Sequence, residues 1–152
     1  MNIAWTYLDK RSAAANALKD YVHMDFIIRS HPDRTLESHS RMTAIHVPGL
    51  SGMPHHSDPL AAETQLVAAI DEIDIAQERY RQALEYMEWF QPAWERLKED
   101  EQFVLEEFYQ DADERTVDGV LSICNHFHIE RSSAYNKKNR ALAKLALLLY
   151  GK

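Results

Sequence analysis

The chain has 152 residues, with 17 Lys and Arg against 24 Asp and Glu for a formal net charge of −7, and 45% of its residues are apolar. That length fits one compact domain, or a small domain with a helical extension, and excludes two large ones. No window holds the roughly 18 uninterrupted apolar residues of a membrane span, and the charged start MNIAWTYLDKRSAAANALKDY lacks the apolar stretch and cleavage site of a secretory signal. Its single cysteine, Cys124, can form no intrachain disulfide, so the expectation is a cytoplasmic protein in a reducing compartment.

Taken in order, residues 3–28 contain no Gly or Pro and place Ala14, Leu18, Tyr21 and Ile28 near helical spacing, which predicts an N-terminal helix over 1–28. Residues 29–59 hold four of the five prolines and two of the four glycines, in HPDR, VPGLSG and MPHHSDP. They read as a flexible loop. From Leu60 to Gln91, Gly and Pro are again absent, and Leu66, Ile70, Ile73, Gln77, Tyr80, Leu84, Met87 and Gln91 advance in steps of four and three. This heptad seam predicts a long helix over 60–91 that pairs either with the first helix, as a hairpin, or with a second copy as a homodimer. Its polar face is acidic, and a solvated surface is the plainer reading of that face than a docking site.

Pro92 suits the first turn of a new helix, so the long helix is expected to stop at Gln91 and a short one to resume as PAWERLKED, opening a third region over 92–152. EQFVLEEFYQ then offers Phe103, Val104 and Phe108, with Leu105 as a further candidate, to a core, and DADERT reads as a polar loop. Trp5, Trp89 and Trp94 are most simply core residues, with Trp89-Phe90 as an alternative interface hot spot.

Charge is segregated along the chain. Residues 1–59 carry six basic and six acidic side chains, residues 60–114 four and sixteen, and residues 115–152 seven and two. The last third is thus a basic module, suited to neutralising phosphates, joined to an acidic neck. Within it, Val120, Ile123, Cys124 and Phe127 fall on one face of a short helix. His128-Ile129-Glu130 forms a three-residue joint with Ile129 as an apolar plug, and a second helix runs from about Arg131 to Leu149 with Ala134, Ala141, Leu142, Leu145 and Leu148 inward. The remaining face presents Arg131, Ser132, Ser133, Asn136, Lys137, Lys138, Arg140 and Lys144. Arg and Asn at the start of a recognition helix pair with guanine and adenine edges, while Lys and Ser reach phosphates. Arg131, Ser133 and Asn136 are therefore expected at bases or nearby phosphates, and Lys137, Lys138, Arg140 and Lys144 at the backbone. The competing reading is that this basic face only balances the acidic neck.

The run S-I-C-N-H-F-H-I-E-R-S-S-A-Y-N-K-K-N-R-A-L-A-K-L, residues 122–145, resembles the helix-turn-helix of sigma factor region 4, E-I-A-x-x-L-G-V-S-x-S-x-V followed by A-L-x-K-L. L-K-E-D-E-Q-F-V-L-E-E-F-Y, residues 97–109, is similar to the helix that precedes it. The order of parts is similar to phage-encoded late-transcription regulators of the ArpU and RinA type. The resemblance covers about the last 55 residues and implies an all-α fold, an N-terminal hairpin or coiled coil with a sigma-like module, that binds double-stranded DNA and acts with host RNA polymerase on phage genes. Three positions depart from the pattern: Ser122 stands for Glu, His128 for the turn glycine, and Glu130 for the capping Ser. Glu caps less well than Ser, which leaves room for a turn shifted by one residue and capped by Ser132 or Ser133. Two other classes fit the same parts: a phage packaging-initiation subunit, and a polymerase-binding adaptor without DNA contact.

Nothing points to catalysis. His46, His55, His56 and Asp58 have no recognised ligand spacing, so neither a metal nor another cofactor is expected. Asp71 and Asp74 share a helix with no pocket signal, Cys124 has no base partner, and there is no Gly-rich phosphate loop. The end LALLLY is apolar all round, which predicts burial between elements.

Overall fold

A computed structural model describes residues 8–45, 59–109 and 116–151. The fold is all-α: among the described residues there are five helices and no strand, namely α1 (Lys10–Ile45), α2 (Pro59–Glu95), α3 (Glu99–Tyr109), α4 (Thr116–Phe127) and α5 (Arg131–Tyr150). They divide into two compact units, one of Met1–Met24 with Tyr86–Lys152 and one of Asp25–Glu85.

Over residues 29–45 the chain is not the loop its composition predicts. Helix α1 continues through Pro32 to Ile45, so the N-terminal helix does not end at residue 28, and the part of the expected loop over 46–58 lies outside the described residues. An interior proline costs a helix about 3 kcal/mol through its missing N–H and its clash with the preceding turn. Packing on both sides holds the helix through it. His31 stacks on Tyr80 with ring centroids 4.0 Å apart, and further along Arg41 pairs with Glu72 at 3.4 Å. These two contacts run the α1 and α2 segments of this unit antiparallel.

The heptad seam of α2 is displaced by one residue at every second position. Ala69, Ile73 and Ala83 are buried, and Ala76 and Tyr80 half-buried, whereas Leu66, Ile70 and Leu84 remain 39%, 42% and 39% exposed. Ile73 and Tyr80 belong to both lines, but alanines fill the alternate positions in place of the larger residues beside them. Small side chains let a neighbouring backbone approach closely. A hydrophobicity pattern weighs them too lightly to find them.

Helix α2 also runs past its expected end at Gln91, through Pro92 to Glu95; the break falls at Arg96–Lys98, and residues 92–100 are not a separate helix. Pro92 points outward while Phe90, Ala93 and Trp94 are buried around it. Fully burying a side chain such as Phe90 stabilises by about 1.5–3 kcal/mol, enough to offset the proline when several residues contribute. Phe90 is the centre of an aromatic group: Tyr86 stacks on it at 5.3 Å, Trp94 at 5.9 Å, and Tyr21 packs at 5.5 Å. The Tyr86 hydroxyl donates to the Ala17 carbonyl, and burial pushes its pKa up. Trp94 is thus a core residue, Trp89 is 42% exposed, and Trp5 lies outside the described residues.

The C-terminal region is not self-contained over 92–152. Ala14, Ala17 and Leu18 of α1 share one buried cluster with Phe90, Trp94, Leu97, Leu105, Leu142 and Leu145, and Leu148, Leu149 and Tyr150 pack against it. The apolar end LALLLY is covered in this way, apart from the exposed Leu147. A second cluster of Val104, Val120, Ile123 and Ala134, flanked by Phe103, Phe108, Phe127 and Ile129, joins α3, α4 and α5. Gly119 makes that joint possible, because a Cβ there would overlap the Glu107 carbonyl oxygen and lie 3.2 Å from its carbon.

Candidate nucleic-acid interface

Helices α4 and α5 meet through three residues. The Ile129 N–H donates to the Cys124 carbonyl at 3.1 Å, His128 turns the chain with φ 54° in the left-handed region, and Ile129 inserts into the second cluster. Glycine serves such a turn without strain, and histidine tolerates it better than most side chains. Glu130 then stands at the N-cap of α5 in extended geometry (φ −77°, ψ 161°) with no side-chain cap bond, and its carbonyl accepts the Ala134 N–H at 3.0 Å. The turn is therefore not shifted: neither Ser132 nor Ser133 caps the helix, and both are free on its exposed surface. At the other end Gly151, at φ 70°, closes α5 by donating to the Leu147 carbonyl at 2.9 Å.

The eight candidate residues separate into three groups. Ser132, Ser133, Asn136 and Arg140 are exposed and lie away from the buried line Ala134, Ala141, Leu145, whereas Arg131, exposed in the first turn, stands seven residues before Lys138 on that residue's side of the helix. Lys137 and Lys144 flank them on the side of α3. Lys137 holds its ammonium 4.4 Å from the Phe127 ring centroid, and Lys144 donates to Glu101 at 2.6 Å. Lys138 packs on the C-terminal end of α3, with its ammonium 4.6 Å from the Phe108 ring and 5.9 Å from both Tyr109 and Tyr135. Desolvation lowers its pKa, and the ring faces supply part of the lost hydration. Lys138 is a packing residue in this structure and does not share the exposed face.

The first turn of α3 supplies Glu99, Asp100 and Glu101, and a cleft lined by Asp100, Glu101, Val104, Lys137, Arg140 and Ala141 brings this acidic turn against the basic flank of α5. Burial pushes the Glu101 carboxyl up, but the Lys144 hydrogen bond, the Lys98 N–H at 2.9 Å and the two lysine charges outweigh it, and the net shift is downward. Glu101 thus both reaches back to the N–H preceding α3, as in a capping box, and holds Lys144.

Two residues of this face escaped the sequence reading. Asn139 is exposed, three residues beyond Asn136 and seven beyond Ser132, a spacing that was available to find it. Tyr135 is 44% exposed and packs edge-on against Phe108 at 5.6 Å, a placement only the tertiary fold reveals. Among the described residues no group of three His, Cys, Asp or Glu could hold a metal, while His46, His55, His56 and Asp58 lie outside them. No helix among the described residues is long and apolar enough to cross a membrane.

Compared with models of protein families, with curated proteins and with solved structures, the chain matches none.

Proposed function

We propose that the protein is a sequence-specific duplex-DNA-binding transcription regulator with α5 as its recognition helix. The observation that carries this reading is the exposed row Ser132, Ser133, Asn136 and Arg140, with Arg131 exposed in the first turn, on a helix that starts directly after a tight turn. The first two turns of a recognition helix enter the major groove, where Arg and Asn make the bidentate contacts to guanine and adenine. Asn139 extends the row, and the excess of seven basic over two acidic side chains in residues 115–152 supplies the attraction to phosphate. Action with host RNA polymerase on phage genes rests on the resemblance to sigma region 4 and belongs to the same proposal.

The test is binding to DNA from the gene's own neighbourhood across a salt series, for the parent and for a variant with Arg131, Asn136 and Arg140 changed to Ala. A site-specific complex, with log affinity falling linearly in log salt, is expected for the parent and lost in the variant. Its absence at low salt would reject direct readout. The acidic turn of α3, which already neutralises Lys144, favours a polymerase-binding adaptor as the second reading, and polymerase capture by the DNA-silent variant would support it. Mass in solution separates a monomer, the dimer expected from the heptad pattern, and the ring of a packaging subunit.

A further inference from the structure

Between residues 25 and 85 there are ten acidic and five basic side chains, and all five bases are arginines. Three of them have local counter-charges: Arg29 pairs with Asp25 at 2.9 Å, Arg41 with Glu37 at 2.8 Å and with Glu72, and Arg81 with Glu78 at 2.7 Å and with Glu85. Arg34 and Arg79 have no carboxylate partner among the described residues. The reason is in the sequence. The helical neighbours of Arg79 are Ile75, Ala76, Gln82 and Ala83, and Glu37, three residues beyond Arg34, is taken by Arg41. Arg34 only approaches the Phe26 ring, at 5.7 Å.

Arg34 and Arg79 occupy matching positions on the two segments. Arg41 and Glu72 pair across the antiparallel segments, and Arg34 and Arg79 each lie seven residues, two turns, from that pair in the same direction along the unit. The His31–Tyr80 stack just beyond them keeps the same register. Arg34 and Arg79 line one groove of about 390 Å³ together with Glu37, Arg41, Glu72, Ile75 and Ala76. The three other arginines of this unit are engaged by carboxylates, Arg41 and Arg81 by two each, which leaves Arg34 and Arg79 as its arginines without an ion pair among the described residues.

We propose that this groove is a binding site for a small phosphate monoester, whose phosphate bridges Arg34 and Arg79. Each guanidinium presents a planar fork that matches phosphate oxygens, and the groove's three arginines outnumber its two glutamates, Glu37 and Glu72, which both engage Arg41 and leave the forks of Arg34 and Arg79 for an anion. The groove is larger than a free ion needs and falls at the small end of organic-ligand sites, about 300–1,000 Å³. Ile75 and Ala76 offer an apolar floor for the organic body, and Glu37 and Glu72 keep oxygens beyond those used by Arg41 to accept from hydroxyl or amine groups. The surrounding excess of acid disfavours a polyanion such as duplex DNA here and tolerates a compact ligand.

The test uses the full chain with inorganic phosphate, adenosine monophosphate and adenosine, read by calorimetry and by thermal shift, on the parent and on Arg34→Gln, Arg79→Gln and the groove-remote control Arg29→Gln. Saturable binding of adenosine monophosphate, tighter than inorganic phosphate and absent for adenosine, is expected. It should weaken by about tenfold or more in Arg34→Gln and Arg79→Gln and not in the control. Both positions are exposed and neither arginine has an ion pair among the described residues, so the variants fold with a ligand-free Tm close to the parent value. No saturable binding by about 10 mM, or equal affinity in the variants, overturns the site. Phosphate binding that excludes the monophosphate overturns the monoester. Loss of duplex-DNA affinity in both variants without phosphate binding assigns the pair to a polynucleotide backbone instead.

Discussion

Gly119→Ala separates what the local sequence implies from what the packing implies, because the two predict opposite signs. In isolation, replacing a glycine inside α4 by alanine favours the helix by about 1 kcal/mol. In the structure, the new methyl would overlap the Glu107 carbonyl oxygen of α3 and sit 3.2 Å from the carbonyl carbon. Those are backbone atoms, so no side chain can rotate away. To restore ordinary contact, α4 must withdraw by about 1 Å, which opens the cluster of Val104, Val120, Ile123 and Ala134. Overpacking of this kind costs typically 1–3 kcal/mol, and the upper end applies where backbone meets backbone, leaving a net loss of about 1–2 kcal/mol after the helix gain. For a chain of this length that corresponds to roughly 2–8 °C in Tm, measurable by circular dichroism at 222 nm. Gly151→Ala serves as a comparison: nothing lies within 4 Å of its Cβ, and its cost comes only from φ 70°. A Gly119→Ala protein with unchanged or raised Tm would refute the close approach of α4 to α3.

Two further changes probe the turn and its acidic neighbour. His128→Gly relieves a left-handed residue and is expected to stabilise by up to about 1 kcal/mol, checked by urea denaturation; a loss of stability would mean the ring itself packs usefully. Glu101→Gln removes the partner of Lys144. Because the folded-state pKa of Glu101 is lowered, its contribution is present above the unfolded carboxyl pKa and fades as pH falls through the folded one. The parent should therefore exceed the variant in stability at pH 7 and converge with it in acid, and a gap that persisted below pH ~3 would contradict the ion pair. The same substitution frees Lys144 and is expected to raise DNA affinity and steepen its salt dependence.

The all-α class and the α4–turn–α5 segment were legible in the residues alone. Val120, Ile123 and Ala134 each declare a buried face by spacing, and His128-Ile129-Glu130 stands out as the joint between them, while its left-handed residue, His128, was marked only by the resemblance to region 4. These signals are local, set by helical periodicity and by the φ a single residue must adopt. Pro32, Pro92 and the α2 seam misled for one shared reason. Proline content and apolar bulk measure the cost or gain of a residue by itself, whereas Tyr80 against His31, and Phe90 with Trp94, hold the helices across the prolines, and Ala69 and Ala83 are buried because of what approaches them. Which of the eight basic and polar residues of α5 stay outward was likewise beyond one helix: Lys138 is turned onto Phe108 and Lys144 onto Glu101, 30 and 43 residues away in sequence. The sequence determined the helices' identity and the tight turn through local backbone energetics, while tertiary structure alone decided where helices end and which charges remain free, because both depend on partners distant along the chain.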